Sequence, residues 1–246
     1  MISLAWQQES DRPEAEQLAR HWGLHCGPAG QQALHLLRAD HQWWLVRGSM
    51  RWRPDWLEPA WIRRYRQAGP RREPLARACG LKGGLRPDVC DVTAGLGRDG
   101  CLLAVLGCSV TLVEAHPVMH LLLEQARRQA VADPRHGAVF SRVRLVHADS
   151  ALWLPGQQAD VICLDPMFAS GDLRGQVKGA MQLIRALQQA WPLQVANAAD
   201  LLSVALEQAG RRVVVKRARR APPLPGPPPH HRVEAGHCRF DVYVKH

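Results

Sequence analysis

The sequence has no run of eighteen apolar residues, which excludes a conventional membrane-spanning helix. No CxxC pair occurs among its seven cysteines, so a zinc knuckle or thioredoxin-type centre has no spacing to rest on, and no metal is expected. The first residues, MISLAWQQESDRPEAEQ, hold acids and no basic stretch ahead of an apolar one. No signal peptide is expected from them. Cys26, Cys79, Cys90, Cys101, Cys108, Cys163 and Cys238 are scattered, several inside apolar runs. They read as reduced thiols acting as small hydrophobes, and the expected location is cytoplasmic. No internal repeat is visible.

What is present is a chain of 246 residues, 46% hydrophobic, long enough for one α/β domain and a smaller appendage. The formal net charge is +10, which suits a polyanionic partner because phosphates neutralised by Lys or Arg release counterions. A solvated basic surface is the other reading. Arg51, Arg53, Arg63, Arg64, Arg66, Arg71 and Arg72 are interleaved with Trp52, Trp56, Trp61 and Tyr65. A second cluster, Arg211, Arg212, Lys216, Arg217, Arg219 and Arg220, brackets an apolar strand. Cations among aromatic faces suit phosphate contact plus base stacking, although each Trp equally suits packing.

Seven of the nine tryptophans precede residue 62, a shift that predicts a small α+β domain over residues 1–75. Within it, 11–22 reads as a helix, and 33–38 with 42–47 as a hairpin about Ala39–His41. From Pro74 the pattern becomes alternating strands (88–92, 109–113, 142–147, 160–164, 212–216) and helices (97–106, 117–130, 180–189, 198–208). That alternation predicts a parallel sheet with crossover helices over residues 76–246. APPLPGPPP, from Ala221, is too rich in proline for either element, and 240–244 reads as a final antiparallel edge strand.

Chemistry gathers where these strands end. DVTAGLGRDG, starting at Asp91, lies between a strand and a helix, and Gly95, Gly97 and Gly100 give a literal GxGxxG. Glycines let backbone approach a ligand closely, and the helix N-terminus adds unpaired N–H groups. Glu114 ends the second strand, where a carboxylate takes both ribose hydroxyls of an adenosine. Asp149, past the third, suits an adenine amine. Each could be a solvated strand-end acid, but ligands of open α/β sheets bind at these ends. Asp165-Pro166-Met167-Phe168 follows the fourth strand and resembles the (Asn/Asp)-Pro-Pro-(Tyr/Phe) signature of methyltransferases acting on planar exocyclic amines. There a carboxylate aligns the amine and an aromatic such as Phe168 stacks on the base.

Taken with the VE-x-x-P-V stretch from Val113, VVVKR, APPL and the terminal RFDVY, these motifs resemble the bacterial 16S rRNA (guanine-1516-N2)-methyltransferase family. The resemblance runs from about Ala76 to the C-terminus and is weak over the first 60 or so residues. It implies a Rossmann-like class I methyltransferase with a mostly parallel seven-stranded sheet, S-adenosyl-L-methionine as cofactor, and 16S rRNA or the small ribosomal subunit as partner. Carried over by position, the cofactor contacts fall on Arg98, Asp99, Glu114, Ala115, Asp149, Ser150 and Asp165, beside Gly95 and Gly97; Asp165 and Phe168 are the catalytic pair. Ala115 stands where the family usually has a basic residue, which leaves only backbone contact. Asp149 stands where Ser is usual, and Pro70 stiffens a glycine-containing basic stretch, Gln67 to Arg72. Two other readings remain open from the residues. GxGxxG with Glu114 also suits an NAD(P)-dependent oxidoreductase, and a methyltransferase-like fold can serve as a non-catalytic RNA-binding assembly factor.

Overall fold

The computed structural model describes residues 2–28, 34–82, 84–166, 178–236 and 238–245. In chain order the elements are β1 (Ser3–Trp6), α1 (Arg12–Trp22), β2 (Cys26–Pro28), β3 (His35–Ala39), β4 (Gln42–Arg47), β5 (Met50–Trp52), α2 (Pro59–Gln67), α3 (Pro74–Ala78), β6 (Val89–Asp91), α4 (Arg98–Val105) and β7 (Val110–Glu114). There follow α5 (Pro117–Ala132), α6 (Gly137–Phe140), β8 (Val143–His147), α7 (Ser150–Trp153), β9 (Ala159–Leu164), α8 (Lys178–Ala190), α9 (Ala198–Gln208), β10 (Ala209–Ala218), β11 (His231–Ala235) and β12 (Cys238–Val244). They fall into two compact units.

The smaller unit holds the chain up to Asp55 together with α8. Its five-stranded sheet runs β2-β1-β3-β4-β5, parallel on both sides of β1 and antiparallel from β3 to β5. The β3–β4 hairpin turns on Asp40 and His41, at φ 53° and 58°, the double positive-φ geometry that fits the twist of a two-residue hairpin. Helix α1 packs on β1, and α8 on β4 and β5, burying Leu183, Ile184 and Leu187.

The larger unit is a seven-stranded sheet in the order β11-β12-β10-β9-β6-β7-β8. The five strands from β8 to β10 are parallel, and β12 runs antiparallel between β10 and β11. Successive residues feed opposite faces. Val89, Leu112, Val161 and Val214 join one apolar cluster with Leu123 and Phe140, while Cys90, Val113, Ile162 and Val213 join another with Leu201 and Leu202. Both faces are therefore covered, which is why the strands read as apolar runs instead of alternating. β6 lies between β7 and β9, so the crossovers diverge on either side of it and open a crevice at its carboxyl end.

The larger unit begins at Trp56, not near residue 76. Trp56, Tyr65 and Leu75 are buried in its core with Phe140 and Leu103, so α2 and α3 pack with the large sheet. The Trp- and Arg-rich stretch that suggested one N-terminal domain is divided between the two units.

Candidate active site

Thr93 to Gly97 carries the chain off β6 into α4. Gly95 and Gly97 sit at φ 56° and 71°, left-handed values that residues with a Cβ adopt at a cost. Gly97 is constrained twice, since a Cβ there would lie 2.9 Å from the Trp56 ring. Gly100 has a packing role: an added Cβ would strike Leu112, so this glycine seats α4 against β7.

Glu114, at the end of β7, directs its carboxylate to the same loop. Oε1 accepts the His116 N–H at 2.8 Å, and the Gly95 and Ala115 N–H groups also donate to the carboxylate. Burial pushes its pKa up to about 7, against the pull of those N–H groups. Beyond β8, Asp149 caps α7, its Oδ1 accepting from Ala151 N–H at 2.8 Å and Leu152 N–H at 3.3 Å. Ser150 Oγ donates to the Val92 carbonyl at 2.6 Å, lacing α7 to the end of β6. The Ala115 carbonyl lies 3.2 Å from His147 Nε2. Arg98 turns its guanidinium over the Trp61 ring, 4.3 Å from its centroid.

Asp165 stands past the end of β9, beside the glycine loop. Its backbone N–H donates to Thr93 Oγ1 at 2.6 Å, and Thr93 in turn donates through its N–H (3.0 Å) and its hydroxyl (3.3 Å) to Asp91 Oδ1. Burial pushes Asp91 up to about 7. Lys216, near the end of β10, reaches in with its Nζ 2.8 Å from Asp99 Oδ2 and 2.9 Å from Asp165 Oδ2. A small cavity is lined by Asp91, Asp99, Asp165, Lys216, Leu75 and Phe240. The carboxyl ends of β6, β7, β8 and β9 thus bring together Gly95, Gly97, Asp99, Glu114, Asp149, Ser150 and Asp165. Phe168 lies outside the described residues.

Asp91, Thr93 and Lys216 escaped the reading of the sequence as site residues. Lys216 stands in the second basic cluster, yet it follows Val213, Val214 and Val215, buried on both faces. A cation in such a strand needs a partner, and that was the available signal. Four of the six cations in that cluster have partners on the protein itself. Arg212 donates to the Ala78 carbonyl at 2.9 Å, Arg217 to the Pro222 carbonyl, and Arg219 pairs with Glu234 at 3.5 Å. In the first cluster, Arg51 and Arg53 lie over Trp44 in the smaller unit, and Arg64 pairs with Glu73. Arg63, Arg66, Arg71 and Arg72 are exposed on the larger unit.

An open α/β sheet with these acids around a glycine loop is the framework of a Rossmann-like, S-adenosylmethionine-dependent methyltransferase, and the model of the family described as "Putative SAM-dependent methyltransferase" matches residues 17–245. A solved SAM-dependent methyltransferase from Neisseria gonorrhoeae superposes with a TM-score of 0.73 at 26% identity, over 99% of this chain and 96% of that one. Ribosomal RNA small subunit methyltransferase J of Pseudomonas aeruginosa is 38% identical over 98% of this chain and 88% of its own. The protein of that name from Alkalilimnicola ehrlichii is 46% identical over 73% and 69%. The chain belongs to this methyltransferase family. The oxidoreductase reading of GxGxxG is thereby set aside: the loop is that of an S-adenosylmethionine-dependent enzyme.

Proposed function

We propose that this protein transfers a methyl group to the N2 exocyclic amine of a guanine in 16S rRNA, at position 1516, in the cytoplasm. The observation that carries the reading is Asp165, fixed at the end of β9 beside the cofactor loop by Thr93 and Lys216. The relatives named for ribosomal RNA of the small subunit support the substrate class.

The residues present fit the cofactor. Glu114 is a desolvated carboxylate that, among the described residues, is met by backbone N–H donors, leaving acceptor capacity for two ribose hydroxyls. Gly95 and Gly97 would let the backbone come close, Asp149 and Ser150 would hold the adenine, and Ala115 would offer only backbone. Arg98 and Asp99, the first residues of α4, would take the remainder of the cofactor. When bound, S-adenosylmethionine would supply a methyl group on a positively charged sulfonium, whose sulfur would leave as a neutral thioether as its bond to the methyl carbon breaks.

The amine of guanine is a poor nucleophile because its lone pair is delocalised into the ring. Asp165 accepts an N–H of that amine, and a neighbouring backbone carbonyl takes the other, which turns the lone pair in line. Phe168 stacks on the base and fixes its plane. As the nitrogen becomes tetravalent it gains positive charge, which the Asp165 carboxylate stabilises. Its N–H is then acidic, and the proton leaves to water or to Asp165; no strong base is required. Asp165→Ala is expected to slow single-turnover transfer at saturating cofactor and RNA by on the order of 10²-fold or more. A wild-type rate in the folded variant would show that this motif merely turns the chain.

A further inference from the structure

We infer that Lys216 is the positioning residue of this site: its ammonium ties Asp165, the acceptor for the target amine, to Asp99 at the head of α4, and holds substrate carboxylate and cofactor loop in one arrangement. The inference rests on the role given to Asp165 above.

Register places the lysine. Val215 of β10 pairs with Leu164 of β9, so Lys216 stands abreast of Asp165 at the edge of the crevice. On its other side it pairs with Phe240 of β12, which lines the same cavity. The ammonium lies between two carboxylates from two different elements, at 2.8 and 2.9 Å. An isolated surface ion pair contributes little. This one is mostly withdrawn from water, with the lysine side chain 24% exposed and that of Asp165 28%. Burial alone would depress the lysine, but Asp99 and Asp165 more than offset it and keep the ammonium protonated.

Three carboxylates, Asp91 from β6, Asp99 from α4 and Asp165 after β9, line the cavity with this one ammonium. The thiols of Cys163 on β9 and Cys238 on β12 face the same group of charges, and Arg98 lies beside Asp99. The ammonium offsets the negative field that Asp91 and Asp99 place on Asp165, and without it that field, through like-charge repulsion, would favour protonation of Asp165. A protonated Asp165 presents a donor where the target amine needs an acceptor. The lysine thus keeps Asp165 ionised and aimed without touching the reacting atoms.

The test is single-turnover methyl transfer to small-subunit rRNA across the neutral and acid range, with the full chain as wild type, Lys216→Met and Lys216→Arg. Lys216→Met is expected to be at least about tenfold slower at neutral pH, with the acid limb of its profile raised by about one unit or more. Lys216→Arg should restore most of the rate and return the limb. In the cofactor-free protein, carbon-13 titration of the Asp165 carboxyl, assigned through Asp165→Asn, should show the same upward move without turnover. Should Lys216→Met fail to fold, Lys216→Gln carries both comparisons. A rate lowered equally at every pH, or an Asp165 titration unmoved in the folded variant, overturns the inference. Asp165→Ala running at the wild-type rate would instead overturn the reading of Asp165 itself.

Discussion

Glu114 is a half-buried, desolvated carboxylate in the larger unit, and among the described residues it is met by N–H groups from Gly95, Ala115 and His116. Its ordinary value of 4.5 rises to about 7, so the folded state holds a proton that the unfolded chain has released. The stability this contributes is present below about 4.5 and is lost as the pH climbs to about 7. Glu114→Gln removes the dependence: in urea unfolding of the cofactor-free protein, the variant should gain on wild type by on the order of 1–3 kcal/mol between about pH 5 and pH 8. The same carboxylate is proposed to hold the ribose. Glu114→Ala is therefore expected to weaken S-adenosylhomocysteine binding by about 1–3 kcal/mol in calorimetry. Unchanged affinity in a folded variant removes it from the site. Glu114 and Asp165 were legible because a strand-end acid needs only a strand count to be noticed. Lys216 was not, since charge counting cannot tell a solvated cation from one bridging two carboxylates. Asp149 shows the converse: the expected ligand also has a local duty as the cap of α7.

The glycine loop is the element on which site and fold meet. Gly97 heads α4 at φ 71° with the Trp56 ring beneath it. Gly97→Ala adds left-handed strain and a contact that either Trp56 or the loop must relieve. The expected loss is on the order of 1–3 kcal/mol of stability by chemical denaturation, accompanied by weaker cofactor binding. A variant as stable as wild type would mean that the loop relaxes freely. Strands β6 to β10 and helices α4, α5 and α9 were readable because two covered faces make each strand an apolar run and each helix a periodic one. The hairpin β3–β4 was readable from its turn. Strands β1, β2 and β5 are short, and β11 is an exposed edge whose residues carry little apolar signal. Helix α2 hid behind its arginines, although Trp61 and Tyr65 stand one helical turn apart and face the core.

At the scale of the molecule, the +10 charge is less concentrated than its clusters suggest, because Arg212, Lys216 and Arg217 are tied to partners of the fold and Arg64 and Arg219 are held in surface ion pairs. Arg63, Arg66, Arg71 and Arg72 remain as an exposed group on α2 and the segment after it. If they meet phosphate, replacing all four with Glu should flatten the slope of log affinity against log salt for rRNA, by roughly one for each lost contact. An unchanged slope would assign RNA binding to other cations.

The central claim is a methyl group placed on the amine of a guanine. Its most direct test is to supply S-adenosylmethionine labelled in the methyl group together with small-subunit rRNA that lacks the modification. The RNA is then digested to nucleosides, and the labelled product is mapped to its position. Label confined to N2-methylguanosine at position 1516 is the result expected. Label on a ring nitrogen, on another base or on ribose, or none from the folded, cofactor-binding enzyme on either naked rRNA or assembled subunits, would contradict the account.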